Sequence, residues 1–345
     1  MSGRRADQVA VVGSLHVDLV LRTDRLPSTG ETVMGREMVT APGGKGLNQA
    51  VGLARLGCRS FMIGMVGDDF FGRWLIERGR ERGVSMEGVG TAQGTPTGTA
   101  LIVVDSRGRN IIAVHPGADE RLDAGHVRSF AEAIRSSKAL LVQFEVPRDA
   151  VEEALRIARG SGVLTVLNPA PFRRTHADLV SEADCVVPNE VEASQLTGIR
   201  IRSVGDAVRA GRAIVRSGPR AAVVTLGRRG SVLVDETGSY HVRSFKVRAV
   251  DTTGAGDAFC SALAFALVSG IPKVEALTFA NAAAAITTTR LGAQEAMPTL
   301  EEVLDLAGRR ANGARLRGLL SKPPEKTPGR DSRALSGGTG PPADL

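Results

Sequence analysis

Two hydrophobic rhythms run along this chain. Short, wholly apolar runs that end at glycine or proline read as strands buried on both faces. The stretches between them repeat apolar residues every three or four positions, which reads as helix. The first run, VAVVG at 9–13, is a strand. Residues 17–40 alternate loosely around the turn LPSTG at 26–30, and two β-rich runs at 99–104 and 110–114 flank DSRG at 105–108, a hairpin signal. Helix is predicted over 46–56 and 74–82, with a strand over 61–66. From residue 123 the alternation is regular: helix 123–136, strand 139–144, helix 148–159, strand 164–168, strand 185–188, helix 190–196, helix 204–217 and strand 221–226. Residues 231–248 read as two antiparallel edge strands. The segments 257–269 and 274–289 are apolar nearly all round and predict buried helices. This order predicts an α/β fold with a mostly parallel central sheet covered by helices on both faces. The strands at 17–40 and 97–115 fall outside the rhythm and predict a small separate sheet.

Composition narrows the picture. The 345 residues are 42% apolar and 23% charged, a globular balance, with aromatics at only 3%. The net charge of +7 is concentrated at the end: from residue 307 onward there are eight Lys/Arg against three Asp/Glu. A basic tail rather than a basic groove makes the chain alkaline, and few aromatics remain for stacking on bases, so a nucleic-acid partner is not expected. Residues 321–345 are rich in Pro and Gly and are expected to be disordered. The ordered domain is expected over 1–320. Cys58, Cys185 and Cys260 are far apart with no CxxC pair, which argues against disulfides and structural zinc. No signal-like stretch or apolar run near 18 residues is present, so a cytoplasmic protein without a membrane span is expected.

Two motifs carry chemistry. DTTGAGD at 251–257 stands just before a buried helix. Gly254, Ala255 and Gly256 would let the backbone approach a ligand, with unpaired helix N–H groups aimed at an anion such as a transferring phosphoryl group. Asp257, in the first turn, could then take a proton from an attacking hydroxyl. A simple N-cap after a glycine turn explains this motif equally well on its own. APGGKGLNQA at 41–50 could bind a polyhydroxyl ligand through backbone and side-chain amides, or could be only a glycine-rich strand-to-helix turn. Neither a GxxxxGK[ST] loop nor a GxGxxG after a strand occurs.

Together these motifs resemble the two signatures of the PfkB carbohydrate kinases, and the chain is most similar to the ribokinase branch. The first signature spans Gly43 to Gly67 and the second spans residues 251–262, with NEVE at 189–192 resembling the NxxE element between them. GSLHVD, LPSTGETVMG, QFEVP, LNPAP, VTLGRRG and TRLGAQ follow in the same order, so the resemblance covers about residues 9–310. It implies a ribokinase-like fold with the small sheet acting as a lid, and transfer of the γ-phosphate of ATP to the primary hydroxyl of a pentose, with Asp257 as base. By the same resemblance His16, Asp18, Gly44, Lys45, Gly46, Asn48 and Glu145 would hold the sugar together with Asp257. Asn189, Glu192, Thr225, Gly227, Gly230, Gly256 and Asn281 would hold ATP and order Mg²⁺. Asp251 and the carbonyls of Thr253, Thr287, Arg290, Gly292 and Ala296 would surround a monovalent cation, K⁺. A homodimer paired through the lid is expected. Ribokinases carry Asn where this chain has His16, which leaves a kinase for deoxyribose or a nucleoside as an alternative. A catalytically silent sugar-binding protein should have lost the base or the anion hole, and this chain retains both sets of residues.

Overall fold

The computed structural model describes residues 7–311 and 313–321. Strand β1 (Gln8–Val12) leads into a hairpin, β2 (His16–Thr23) and β3 (Gly35–Gly43), and then into helix α1 (Lys45–Arg55). Next come β4 (Arg59–Gly67), α2 (Phe70–Glu81), β5 (Val84–Ala92), β6 (Gly98–Val104) and β7 (Asn110–His115). Helices α3 (Ala124–Ser129) and α4 (Ala131–Arg135) precede β8 (Ala139–Gln143), α5 (Arg148–Gly160), β9 (Leu164–Asn168) and β10 (Cys185–Val186). Then follow α6 (Glu190–Thr197), α7 (Val204–Arg216), β11 (Ala221–Thr225), β12 (Ser231–Asp235) and β13 (Gly238–Val242). The last helices are α8 (Ala255–Val268), α9 (Lys273–Thr287), α10 (Leu300–Ala307) and α11 (Leu316–Ser321).

Nine strands form the main sheet in the order β13-β12-β11-β10-β9-β8-β1-β4-β5, parallel from β5 to β11 with β12 and β13 antiparallel at one edge. The two-residue period of a strand sends alternate side chains to opposite layers. Val9 and Val11 pack with α1, α8 and α9, whereas Ala10 and Val12 pack with α3, α4 and α5. Both layers are aliphatic, as the scarcity of aromatics required. The buried helices α8 and α9 lie side by side, with Phe265 stacked on Phe279 at 5.4 Å between ring centroids.

The second sheet, β3-β2-β6-β7, joins β2 to β6 in parallel and is otherwise antiparallel. All six residues of β7 are exposed. Met38, Leu101, Ile111, Ile112 and Val114 are exposed on this sheet, and Met34 lies in the β2–β3 connection. Val33 and Val103, which the sequence pattern also marks as apolar lid positions, are half-buried.

Three differences from the pattern have local causes. β5 has no apolar run because it is an edge strand in which Val84, Met86 and Gly88 are buried and the residues between them are not. The predicted helix 123–136 is two helices broken at Phe130, whose ring packs against Phe61 and His126. The strand predicted at 185–188 ends at Val186, because Pro188 lacks an N–H for the ladder and Asn189 starts a helix. Of the tail expected to be disordered, all but residue 321 lies outside the described residues.

Candidate active site

β1 and β8 are neighbours, yet the chain leaves β1 toward β4 on one side and returns to β8 on the other. Such a reversal opens a crevice at the carboxyl ends of the strands. Ser14, after β1, donates to Glu145 Oε2, after β8, at 2.5 Å, and the Lys45 backbone N–H donates to the same oxygen at 2.9 Å. Glycines set the approach of α1. Gly44 caps it at φ 85°, and a Cβ on Gly46 would lie 2.6 Å from the Ser14 nitrogen. Opposite, a Cβ on Gly43 would lie 2.3 Å from Asp18 Oδ1, so this glycine makes room for the Asp18 carboxylate. Burial pushes the Asp18 carboxyl up to about 6, with Glu145, Asp257 and Glu295 adding to the rise and His16 opposing it.

Helix α8 enters the same crevice. Its cap, Gly254, has φ 74°, which places Ala255, Gly256 and Asp257 in the first turn, two residues earlier than the apolar pattern suggested. Among the described residues the N–H groups of Gly254, Gly256 and Asp257 donate to no protein acceptor, whereas that of Ala255 donates to the Thr252 carbonyl. Of the Gly254-Ala255-Gly256 triplet expected to face an anion, only Ala255 has its N–H occupied, at 3.3 Å. Asp257 is buried and accepts from Asn48 Nδ2 and Gln49 Nε2, each at 3.1 Å. Burial pushes its carboxyl above the usual range, and Lys45 and the two amides only partly offset this. The Lys45 ammonium is raised chiefly by Asp257, with Glu145 and Glu192 adding, so these four charges form one set.

The nucleotide candidates lie along the same edge, after β10 and β11. Asn189 and Glu192 close a capping box on α6: Asn189 Oδ1 receives the Glu192 N–H, while Glu192 accepts from both nitrogens of Asn189 at 2.8 Å. Thr225 bridges Asn189, and the loop after it turns through Gly227 and Gly230 at positive φ. Asn281 spends its amide protons on Ser231 Oγ and the Val242 carbonyl, pinning α9 to β12 and β13.

Of the cation candidates, Asp251, Thr253 and Gly292 are joined directly. Asp251 accepts from the Thr253 N–H and hydroxyl and, across the crevice, from the Gly292 N–H at 3.0 Å. These bonds overcome its burial and hold its carboxyl below the usual range. Ala296 is wholly buried, yet its carbonyl accepts no hydrogen bond among the described residues, nor do those of Arg290, Gly292 and Thr253. Thr287 is buried, and its carbonyl is weakly occupied by the Arg290 N–H at 3.3 Å. One carboxylate with several free carbonyls is an all-oxygen donor set, which suits a hard cation. No cluster of three or more His, Cys, Asp or Glu that could hold a metal occurs among the described residues.

Sequence reading assigned no role to the residues behind Asp257. Gln143 donates to Gln49 at 2.7 Å, Gln49 also reaches Asn168 at 3.4 Å, and Gln294 donates to Asn48 at 3.0 Å. Gln143, Asn168 and Gln294 sit within motifs marked by the resemblance (QFEVP, LNPAP, TRLGAQ), and that was their only signal. Asp119 was missed outright. It is fully buried in a 3₁₀ turn at Gly117–Arg121 and pairs with His16 at 2.7 Å.

A family profile described as pfkB family carbohydrate kinase matches residues 6–300. The chain belongs to the PfkB carbohydrate kinases. It is a sugar kinase by that membership, and its relatives agree. A ribokinase of Haemophilus influenzae is 36% identical over 297 residues, 86% of this chain and 97% of that protein. A deoxyribokinase of Salmonella typhi is 33% identical over 295 residues, covering 85% and 96%. The structure of Arabidopsis thaliana ribokinase complexed with ribose and ATP superposes with a TM-score of 0.82 at 31% identity, covering 88% of this chain and 99% of that one. Among the described residues no helix is long and apolar enough to cross a membrane.

In this PfkB kinase, Gln49→Leu removes one of the two amides on Asp257 and unpairs Gln143. With sugar and ATP saturating, kcat is expected to fall about tenfold, the scale of one hydrogen bond to a charged group, while the KM for ATP stays near its wild-type value.

Proposed function

We propose that this protein transfers the γ-phosphoryl group of ATP to the primary hydroxyl of a pentose, D-ribose above others, with Asp257 as the base. The observation that carries the reading is the position of Asp257. It is a buried carboxylate in the first turn of α8, beside unpaired N–H groups and within the charge set of Lys45, Glu145 and Glu192. The ribose and ATP bound to the Arabidopsis relative support the choice of substrates.

The mechanism follows from these groups. Asp18 and Glu145 would accept hydrogen bonds from sugar hydroxyls, and Lys45 and Asn48 would fix the ring between β3 and α8. Asp257 Oδ would take the proton of the primary hydroxyl as its oxygen bonds to the γ-phosphorus and the bond to the β-phosphate oxygen breaks. The N–H groups of Gly254, Gly256 and Asp257 would receive the equatorial phosphoryl oxygens. Along the edge, the 225–230 loop and Asn189 would line the nucleotide. Both oxygens of Glu192 already hold Asn189, so this pair fits Mg²⁺ through bound water, as that ion's reluctant dehydration allows. Mg²⁺ would supply charge neutralisation on the phosphates. A K⁺ ion among Asp251 and the Thr253, Thr287, Arg290, Gly292 and Ala296 carbonyls would hold the loop that carries Gly254. The four-stranded sheet would close over the sugar and exclude water. A second reading, a deoxyribose kinase, is favoured by the Salmonella relative. A panel of ribose, deoxyribose, hexoses and nucleosides, read as ADP formed, separates the two. ADP formation with none of them would sink both.

Three outcomes are expected. Asp257→Asn keeps size and removes basicity, so kcat falls about 10²–10⁴-fold with both KM values changed far less. Because burial raises this carboxyl, the acid limb of kcat/KM in the wild type should lie above the ordinary carboxylate range, activity rising with pH through it. The KM for sugar should itself rise as pH falls through about 6, where Asp18 becomes protonated and stops accepting. A near-normal kcat for the variant under chemistry-limited conditions removes Asp257 from the role of base.

Replacing K⁺ by a bulky organic cation at constant ionic strength is expected to lower activity and the melting temperature together. Equal values in both salts would discard the cation site.

The exposed Met38, Leu101 and Ile111 share the face of the lid opposite Asp18 and would be covered in a dimer that pairs two lids. Leu101→Lys should shift sedimentation toward monomer, and a wild type that sediments as a monomer contradicts this.

A further inference from the structure

Within the sugar crevice His16, an expected sugar residue, is half of a charged pair whose other member has no expected role. His16 opens β2, and Asp119 sits in the 3₁₀ turn that follows β7. His16 Nε2 lies 2.7 Å from Asp119 Oδ2, both side chains are almost wholly buried, and the second oxygen, Asp119 Oδ1, is held by the Leu15 N–H at 2.9 Å. The space for this pair is left by a glycine: a Cβ on Gly98 would lie 2.5 Å from His16 Cδ2 and 2.7 Å from Asp119 Oδ2. A carboxylate buried this deeply is costly unless a cation meets it, and among the described residues His16 is the only cation paired with Asp119.

One imidazole nitrogen, Nε2, is thus engaged by a close ion pair outside hydrogen-bond geometry, and the other is free. Nδ1 has no protein partner among the described residues and is not sealed from open space. The groups facing the ring are Asp119 from the 3₁₀ turn, Glu145 from the end of β8 and Asp18 from β2 itself. Burial alone would lower the ring's basicity. Asp119 outweighs it, Glu145 and Asp18 add to the effect, and the ring is raised to about 9, so it is an imidazolium at neutral pH.

We infer that the His16–Asp119 pair is a specificity device of the sugar site: Asp119 positions His16 so that Nδ1–H is a fixed cationic donor that demands an oxygen on the bound sugar. The inference rests on the pentose-kinase reading and deepens it. Asp18 and Glu145 only accept, and they tolerate any hydroxyl that can turn its proton toward them. A charged donor held in place cannot turn away. A sugar with hydrogen where the hydroxyl should stand leaves the donor buried and unpaired, and such sites reject the deoxy analogue strongly. An amide at position 16 has no need of a buried carboxylate behind it, whereas an imidazolium does.

The test compares the wild type with Asp119→Asn, which keeps an oxygen for the Leu15 N–H; melting curves check that the variant folds. Both are assayed with D-ribose and with 2-deoxy- and 3-deoxy-D-ribose at saturating ATP. The expected result is a ten- to hundredfold rise in the KM for ribose, with kcat and the KM for ATP changed far less. The preference for ribose over at least one deoxy sugar should shrink by a similar factor. In the wild type the ribose KM should rise as pH passes about 9 and His16 loses its proton, and in the variant that rise should begin below pH about 8. A variant with unchanged ribose KM and unchanged deoxy-sugar discrimination overturns the inference, as does an equal rise in both KM values. Nuclear magnetic resonance titration of the His16 ring in sugar-free protein is the second measurement, and a ring titrating near its ordinary value in both proteins also overturns it. Wild-type protein that phosphorylates no pentose would defeat the underlying reading instead.

Discussion

A buried carboxylate at the start of a buried helix is the constraint around which this molecule is arranged. Asp257 lies where burial favours its neutral form, and the role of base proposed for it needs the charged one. The fold answers with positive charge and directed dipoles rather than with water. Lys45 supplies the charge, and Asn48 and Gln49 supply two N–H donors, all three from the first turns of α1. α1 can present them only because glycines at 44 and 46 bring its start against the turn after β1. The glycine-rich motif and the acidic motif, about 200 residues apart, are two halves of one electrostatic balance.

That balance extends outward in layers. The amides touching Asp257 are held by further amides, Gln143 and Gln294, whose positions are set by β8 and by the loop before α10. Partly satisfied polar networks are costly in a low-dielectric interior, so each added member fixes the orientation of the one in front of it. On the sugar side the carboxylates Asp18, Glu145 and Asp257 crowd together. His16 and Lys45 are the counter-charges there, His16 being held in place by Asp119.

The sheet supplies the geometry. Parallel strands feed loops to one edge, and the reversal between β1 and β8 opens the crevice at which the two sets of candidate residues meet. The second sheet rises from the same edge through β2 and β6, and its exposed aliphatic residues have no counterpart in the closed, well-packed main layers.

The sequence by itself determined the class of fold, because hydrophobic periodicity is a local property: strands buried on both faces and amphipathic helices announce themselves in a few residues. β9 was legible to the residue, and most helices to within a few positions. Elements whose burial depends on a neighbour were not, such as β5 at its edge or the break at Phe130. Among the candidate site residues, Asp257 and Asn48 stand in motifs of glycine, acid and amide, whereas Asp18, Lys45 and Glu145 were marked by the family resemblance alone. Tertiary structure alone decided what each polar group touches. It tied the Ala255 N–H to the Thr252 carbonyl, spent the Asn189, Glu192 and Asn281 side chains on caps and pins, and raised the Asp257 carboxyl by burial. It also joined His16 to Asp119, about 100 residues away with no motif around it. Hydrogen-bond partners and dielectric surroundings are set by packing in three dimensions, and no local pattern along the chain encodes them.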